Sequence, residues 1–377
     1  MATRKKPTRS ASATTPDHPA PSPAPKKAPD AAPPAPKRRA LVWLAPEQVE
    51  LVRAVADLAN LEFTAVGSAP AEARKLAEAL GGEPHDDLRH ALGAADAEVA
   101  LLASLSGAGL WELLEDIEFM RRCESRGLRV VSLEPAPGSL TELTRLRRLD
   151  SARQSGASFA PRMRHAPGFR AAADLFEQFG QVETMDLSAR SGVGQGTLAA
   201  RVFDAMDAVM AALGEPETID ASVRGPRSIS GLRLAAGESL RDLRGDMTAH
   251  MRYADGRSAA VTLTDRGGRW FRGVTLLGSN GCLRIDEAGF EWLDATGKVI
   301  EKSPAARGSR KKTTPDGALA AAAAIGDEIN HMLDPRAPRE APLDVRTVLA
   351  MAEAAVLSAR TGQPESPATL LRMTGAA

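Results

Sequence analysis

Two short segments carry carboxylates at places where they could do chemistry. The segment G-L-R-V-V-S-L-E-P (127–135) is an apolar run followed directly by Glu134. The segment F-D-A-M-D (203–207) brings Asp204 and Asp207 close together in the sequence. Carboxylates act as a general acid and base when their pKa values are split, and their oxygens bind hard cations such as Mg²⁺ or Ca²⁺. Whether these side chains meet depends on the elements that carry them.

Alternating strand and helix patterns surround the first of these segments. Short apolar runs indicate strands at 40–45, 61–67, 98–103 and 128–133, and helical spacing marks 47–60, 70–80, 87–92 and 110–126. Strands separated by helices of this length are typical of βαβ units. We therefore predict an α/β domain with a Rossmann-like, doubly wound parallel sheet, in which Glu134 follows the carboxyl end of a strand.

The second half of the chain has a different pattern. Helices are predicted at 169–179 and 197–213, and alternating strands then follow, joined by the turn dipeptides Asp255-Gly256 and Asn280-Gly281. In the strand at 246–254, the side chains of Met247, Ala249, Met251 and Tyr253 share one face. Two helices, at 318–333 and 344–360, end the pattern. These features predict an α+β domain with a large, mostly antiparallel open sheet.

The N-terminal 39 residues differ from the rest of the chain in charge and composition. They contain nine basic and two acidic residues, whereas the whole chain has 48 of each. They also hold ten of the 26 prolines. Such a segment buries too little apolar area to offset its ordering entropy, so we predict a disordered basic tail at 1–39. The tail is either a spacer or an arm that makes weak contacts with nucleic acid or another polyanion.

The composition also excludes several classes of protein. Two cysteines, Cys123 and Cys282, cannot form a disulfide framework or, without histidines, a four-ligand zinc site. No apolar stretch approaches the roughly 18 residues of a membrane span, and no apolar region of a secretory signal follows the first basic residues. We therefore expect a cytoplasmic protein without a membrane partner, and the abundant alanine indicates a bacterial genome rich in G and C.

Four passages, in their order along the chain, resemble the Gfo/Idh/MocA family of glucose–fructose oxidoreductases and inositol dehydrogenases. The segment 127–135 is similar to a strand that ends in Glu-Lys-Pro in that family. F-D-A-M-D-A-V-M-A-A-L-G-E-P (203–216) resembles the helix that carries His-x-x-Asp. L-L-G-S-N-G-C-L-R-I-D (276–286) resembles a sheet motif, and L-S-A-R-T-G-Q-P-E-S-P (357–367) resembles the C-terminal helix.

The resemblance implies two domains and a redox cofactor. It places a nucleotide-binding type of domain at 40–150 and a substrate or oligomerisation type of domain at 151–377, with a flexible loop at 302–317. It also implies an NAD(P)-dependent oxidoreductase acting on a sugar or polyol. Members of this family associate through the open sheet, so we expect a homo-oligomer.

The positions that hold the dinucleotide in that family carry different residues here. The family's first βα turn is Gly-x-Gly-x-x-Gly, which brings pyrophosphate to a helix N-terminus. The corresponding turn here has no glycine, and Glu47 and Glu50 add negative charge where phosphate would lie. We therefore expect NAD(P) not to bind. The residues at the family's cofactor positions are Ala45, Glu47, Glu50, Gly67, Ser68 and Pro135. Among them, Gly67 and Ser68 end the second strand, where the family has an acidic residue for the ribose of the dinucleotide.

The catalytic positions of the family are changed as well. By the resemblance, Glu134 stands in place of the lysine, Asp204 in place of the histidine, and Asp207 matches the aspartate. Proton removal from an alcohol needs a base of suitable pKa, usually His or Lys. Three interpretations of the resulting carboxylates remain open: an unused hydrated pocket, a site for a divalent cation or cationic ligand, and a carboxylate acid–base pair. We assign no metal site.

A cationic segment, R-M-R-H-A-P-G-F-R (162–170), resembles the Arg-x-x-Pro segment that lines the family's substrate cleft. Arg162 and Arg164 could hold an anionic substrate, but we prefer salt bridges across the domain boundary. Taken together, these residues favour a pseudoenzyme that binds an unknown small molecule or protein. The alternatives are an active NAD(P)-dependent oxidoreductase with an atypical cofactor site and a protein that associates with polyanions through its tail.

Overall fold

The computed structural model describes residues 36–105, 113, 116–149, 157–225, 240–303, 317–337 and 343–375. The predicted tail, apart from its last four residues, and most of the predicted loop at 302–317 lie outside these ranges. No helix among the described residues is long and apolar enough to cross a membrane.

Six parallel strands form the first sheet, in the order β3-β2-β1-β4-β5-β6. The strands are β1 Arg38–Trp43, β2 Leu61–Gly67, β3 Glu83–His85, β4 Val99–Leu102, β5 Arg129–Ser132 and β6 Ala157–Phe159. From β1 the chain continues on one side of the sheet to β2 and β3, and it then returns to the other side of β1 for β4 to β6. The point where the strand order reverses, the switch point, therefore lies between β1 and β4. The predicted parallel sheet is confirmed. Because β6 belongs to it, this sheet extends beyond residue 150.

The helices around this sheet begin and end where their sequences change character. They are α1 Val49–Leu58, α2 Ala73–Leu80, α3 Leu88–Ala94, α4 Ile117–Ser125 and α5 Leu140–Leu149. The carboxylate of Asp87 accepts from the His90 amide at 2.6 Å and so caps α3. Asp116 caps α4 in the same way, through the amide of Phe119 at 2.9 Å.

Eight strands form the second sheet, which is antiparallel except where β10 pairs with β7. The strands are β7 Val182–Arg190, β8 Thr218–Arg224, β9 Asp246–Arg252, β10 Ser258–Thr264, β11 Phe271–Gly278, β12 Gly281–Asp286, β13 Phe290–Leu293 and β14 Val299–Lys302. The predicted mostly antiparallel sheet is confirmed. We did not predict β7 from the sequence, although it lies in the middle of this sheet between β11 and β10.

Helices cover one face of the second sheet. They are α6 Pro167–Ala173, α7 Phe176–Phe179, α8 Leu198–Leu213, α10 Val345–Thr361 and α11 Pro367–Met373. The helix α9 Gly317–Leu333, which precedes α10 in the chain, packs on the first sheet instead. The predicted buried face of β9 is confirmed, since Met247, Ala249 and Met251 are buried and the side chains between them are exposed. Helix α10 begins with Asp344 as its cap and ends at Gly362, whose φ of +67° is left-handed.

One apolar core joins distant parts of the chain. Ala40 and Val42 of β1 pack with Leu51, Val52 and Val55 of α1. The same core contains Ala321, Ala322, Ile325 and Ile329 of α9, together with Trp270 just before β11. The first sheet is therefore covered on this side by a helix from the far end of the sequence.

Candidate functional site

The crevice at the switch point of the first sheet is spanned by one side chain. Gln48 lies in a short 3-10 turn, Pro46–Gln48, between β1 and α1. Its Oε1 accepts from the amide of Ala45 at 2.9 Å, and its Nε2 donates to the carbonyl of Ala103 at 2.7 Å. Ala103 follows β4 directly. Because ligands of open α/β sheets bind outside the carboxyl ends of the strands at this point, the amide of Gln48 lies where a ligand would enter.

A glycine-containing loop before α8 packs on the same turn. A Cβ atom added to Gly194 would lie 2.2 Å from the carbonyl oxygen of Glu47. The φ of Gly194 is +76°, a conformation that other residues rarely adopt. The backbone of this loop therefore contacts the turn that would otherwise face a pyrophosphate.

A tryptophan covers the end of β2. A Cβ atom added to Gly67 would lie 2.2 Å from Cε3 of Trp43, so the indole ring packs directly on this glycine. Ser68 is buried, and its amide donates to the carbonyl of His85 at 3.1 Å. The predicted ribose position, Gly67 and Ser68, is thus occupied by packed protein groups.

The charged side chains of the first turn point away from this packing. Glu47 and Glu50 are exposed, and Glu50 pairs with Arg53 at 2.7 Å. Neither residue provides a donor for phosphate. The residues of this turn therefore do not fit a dinucleotide in the way that a glycine-rich turn does.

Glu134 lies in a buried turn after β5. The hydroxyl of Ser132 donates to the carbonyl of Glu134 at 2.6 Å, and the amide of Glu134 donates to the same hydroxyl oxygen at 3.2 Å. The next residue, Pro135, accepts from Nε of Arg241 at 3.3 Å. Ser132 and Arg241 thereby fix the backbone at the position of the family's lysine.

Asp204 and Asp207 lie on α8, and each faces an arginine. Both oxygens of Asp204 are engaged: Oδ1 accepts from the amide of Met163 at 2.5 Å and Oδ2 from Nη1 of Arg272 at 3.0 Å. Oδ2 of Asp207 lies 2.9 Å from Nε of Arg164. Burial raises the pKa of Asp207 to about 6, although Arg164 and Arg162 act in the opposite direction. Two arginines near two aspartates make this a poor site for a divalent cation.

Arg272 joins the carboxylates of two elements. Its Nε and Nη2 donate to the two oxygens of Glu287 at 2.5 and 3.1 Å, and its Nη1 also donates to the carbonyl of Pro161 at 3.0 Å. Burial alone would lower the pKa of Arg272, but Glu287 and Asp204 raise it above its usual value. Arg272 therefore remains charged inside the protein.

A second buried arginine stacks on an indole ring. The guanidinium carbon of Arg201 lies 4.1 Å from the ring centroid of Trp270, whose Nε1 donates to Glu287 at 2.9 Å. Burial lowers the pKa of Arg201 to about 10, and the positive charge of Arg272 adds to this effect. The interaction with the ring partly compensates for lost hydration of the cation.

Glu328 joins α9, the helix that packs on the first sheet, to the cationic segment. It accepts from the amide of Arg162 at 2.5 Å, from Nε of Arg162 at 3.2 Å, and lies 2.9 Å from Nδ1 of His165. Burial would raise the pKa of Glu328, but His165 and Arg162 lower it below the usual value. Both arginines form salt bridges, Arg162 with Glu328 and Arg164 with Asp207, but all four residues lie within 151–377, so these pairs do not cross the predicted domain boundary.

Asp204, Asp207, Arg162 and Arg164 thus form part of a buried ionic network. The network has carboxylates and arginines in close pairs, and Nε and Nη1 of the buried Arg201 make no hydrogen bond. Among the described residues, no group of three or more His, Cys, Asp or Glu side chains is arranged to hold a metal ion.

Sequence reasoning missed several members of this network: Arg201, Arg272, Glu287 and Glu328. A pattern existed for two of them. Arg272 alternates with the buried Val274 and Leu276 along β11, which puts its side chain on the buried face. Glu328 follows Ile325 by three residues and precedes Ile329, so it lies on the apolar face of α9.

Comparisons with known proteins agree with this architecture. No protein-family model and no curated protein sequence matches the chain. Several solved structures do match the chain. An oxidoreductase from Agrobacterium radiobacter, in complex with NAD+, L-tartaric acid and magnesium, has a TM-score of 0.62 at 14% identity, over 89% of this chain and 100% of its own.

Two inositol dehydrogenases match over a similar span. A myo-inositol dehydrogenase from Corynebacterium glutamicum has a TM-score of 0.57 at 16% identity, over 88% of this chain and 98% of its own. A myo-inositol 2-dehydrogenase from Lactobacillus plantarum has a TM-score of 0.58 at 14% identity, over 88% and 99%. The first is an oxidoreductase and the other two are dehydrogenases, all of the Gfo/Idh/MocA type. This chain has the Gfo/Idh/MocA fold. The resemblance seen in four sequence motifs is therefore confirmed at the level of the fold.

Proposed function

We propose that this protein uses the Gfo/Idh/MocA fold to bind a ligand and does not carry out nicotinamide-dependent hydride transfer. The observation that carries the proposal is the contact of Gln48 with both Ala45 and Ala103, which spans the crevice between β1 and β4. A dinucleotide would have to displace this side chain and the backbone of Gly194.

The catalytic positions support the same proposal. Hydride transfer from an alcohol requires a base that takes its proton. Both oxygens of Asp204, at the family's histidine position, are engaged by Arg272 and by the amide of Met163. Glu134, at the lysine position, is buried and is not a cation. The arrangement supports binding more than proton transfer.

Titration with NADH and with NADPH tests the proposal. Trp43 packs on Gly67 at the predicted ribose position, so a dinucleotide seated there would quench its fluorescence. We expect no saturable change up to about 1 mM nucleotide, and a dissociation constant at or below about 50 µM would contradict the proposal. A dehydrogenase of the same fold that binds NAD provides the positive control, and a Trp43→Phe variant identifies the signal that comes from this site.

Absorbance assays with NAD+ or NADP+ and a panel of polyols complete the test. Reduction of either nucleotide above the blank would favour the alternative, an active oxidoreductase with an atypical cofactor site.

A further inference from the structure

A cavity of about 590 Å³ lies between the α6–α7 segment, α8 and the second sheet. Four alanines line it on the helical side: Ala173 on α6, and Ala208, Ala211 and Ala212 on α8. Ala211 and Ala212 follow Ala208 by three and four residues, so the three side chains share one face of α8. Because methyl groups fill little space, the helices leave room above the sheet. A volume in this range is typical of small-molecule sites, which span about 300–1,000 Å³.

The sheet side of the cavity is apolar. Buried aliphatic side chains line it there: Met185 of β7, Val274 and Leu276 of β11, and Ile285 of β12. Phe169 and Phe176 add aromatic rings. A sugar or polyol in contact with these groups would lose hydrogen bonds to water without gaining partners from them, and each unpaired hydroxyl costs free energy. An alkyl or aryl group would instead gain from burial.

The arginine and histidine side chains that line the cavity already have partners inside the protein. Nε of Arg164 lies 2.9 Å from Oδ2 of Asp207, and Nδ1 of His165 lies 2.9 Å from Oε1 of Glu328. The side chains of Asp207 and Glu328 are almost completely buried, so these pairs are shielded from water. Arg164 and His165 are therefore engaged by the protein's own carboxylates.

The remaining polar residues of the lining are engaged as well. Burial raises the pKa of Asp327, and the positive charge of Arg170 acts against this rise, so these two residues interact. His331 likewise has a partner. Among the described residues that line the cavity, none offers a ligand an uncompensated charge. An anion or a cation would give up its hydration here without gaining a charged partner in return, which disfavours both.

We propose that this cavity binds a neutral, predominantly apolar molecule built from aryl or alkyl groups. The inference rests on the proposed binding function and names the class of ligand. Apolar lining selects against sugars and polyols, and the internal pairing of the lining charges selects against ionic ligands.

Two fluorophores with the same rings test the class of ligand. Phenylnaphthylamine is neutral, whereas anilinonaphthalene sulfonate carries a negative charge, and both fluoresce strongly only in apolar surroundings. We expect one phenylnaphthylamine to bind per full-length chain with a dissociation constant on the order of 1–10 µM, and the sulfonate to bind at least about tenfold more weakly. Absence of saturable binding of the neutral fluorophore, or equal or tighter binding of the sulfonate, would overturn the proposal. Nucleotide is absent from this experiment, so its failure would leave the result of the NADH titration unchanged.

Two substitutions on α6 locate the bound fluorophore. Ala173 and Ala171 are both exposed alanines of this helix, but only Ala173 lines the cavity. We expect Ala173→Trp to weaken phenylnaphthylamine binding by at least about tenfold, because the indole takes up part of the cavity, and Ala171→Trp to bind as the wild type does. Equal affinities in the two variants would place the fluorophore elsewhere and overturn the proposal.

Filling the cavity from α8 tests it without any ligand. Ala208 and Ala205 are both buried alanines of this helix, but only Ala208 lines the cavity. A larger side chain strains a close-packed core, whereas the space beside Ala208 can hold one. We expect Ala205→Leu to lower the midpoint of thermal unfolding by about 3 °C or more, and Ala208→Leu to leave it unchanged. We also expect Ala208→Leu to weaken phenylnaphthylamine binding by about tenfold. Equal lowering of the two midpoints, or unchanged binding in Ala208→Leu, would contradict the proposed site.

Discussion

Arg272 and Asp204 are buried, whereas the side chain of Glu287, the second carboxylate that Arg272 contacts, is 29% exposed. Water does not solvate Arg272 and Asp204, so these two charges depend on their partners. The pair with Glu287 uses two parallel donors of the guanidinium, a geometry that adds strength and direction. Arg272 therefore holds α8 to β11 and to the segment that follows β12.

Replacing this arginine should be costly. We expect Arg272→Ala to lower the free energy of unfolding by about 3–5 kcal/mol, because the fully buried Asp204 loses its charged partner. Arg284→Ala is the matched control on the neighbouring strand, where the arginine is 61% exposed and 3.9 Å from Glu291. We expect the control to change stability by less than about 1 kcal/mol. Denaturant unfolding measures both, and similar losses would contradict the assignment.

Unlike Arg272, Asp207 lowers the stability of the folded protein at neutral pH, because its pKa is raised. Burial raises its pKa from 3.8 to about 6, against the attraction of Arg164 and Arg162, and the negative charges of Asp204 and Glu328 reinforce the rise. The folded protein therefore holds this proton more tightly than the unfolded chain does. Stability from this group is complete below pH 3.8 and is lost as the pH rises through about 6.

An Asp207→Asn variant isolates this effect. Its side chain does not titrate, so the difference in unfolding free energy between wild type and variant follows the protonation of Asp207. We expect the wild type to lose about 2 kcal/mol relative to the variant between pH 4 and pH 7. Urea unfolding at a series of pH values provides the measurement. A difference that is constant, or that rises with pH, would contradict the raised pKa.

At the scale of elements, the loop before α8 packs closely on the turn after β1. Gly194 has no side chain, and this allows its backbone to approach the carbonyl of Glu47. Gln48, in the same turn, ties β1 to β4. One short turn thus closes the crevice and supports the loop of the other domain.

The contact predicts an unequal effect of alanine at two glycines. Gly194→Ala introduces both a left-handed alanine and a Cβ atom 2.2 Å from the carbonyl oxygen of Glu47. Gly297 has a φ of +84° but no neighbour within 4 Å of an added Cβ. Gly297→Ala therefore places an alanine in the left-handed conformation without any steric clash. We expect about 1–2 kcal/mol from the backbone in each variant and about 1–3 kcal/mol more in Gly194→Ala. Equal destabilisation would show that the loop is not packed on the turn.

At the scale of the whole molecule, the sequence predicted the architecture better than the site. Apolar alternation in β9 and the turn at Asp255-Gly256 are local properties, so they identify their elements directly. The strand β7 was not predicted, although Met185, Leu187 and Ala189 alternate with Asp186, Ser188 and Arg190 in the same way. Its sequence therefore carried a local strand signal that the prediction overlooked.

The ionic network could not be predicted because its pairs join residues far apart in the sequence. Arg162 and Glu328 are 166 positions apart, and Arg272 and Asp204 are 68 apart. No local pattern specifies such partners. The resemblance identified Asp204 and Asp207 as site positions, but the arginines that face them come from segments whose approach depends on the complete fold.

The packing of α9 against α1 has a consequence for synthesis on the ribosome. The apolar face of α1, with Leu51, Val52 and Val55, meets Ala321, Ile325 and Ile329 only after more than 250 further residues have been made. At about 5–20 residues per second, this interval is on the order of 10–50 seconds. During that time the apolar face of α1 lacks its partner, so we expect the nascent chain to expose apolar surface until α9 emerges.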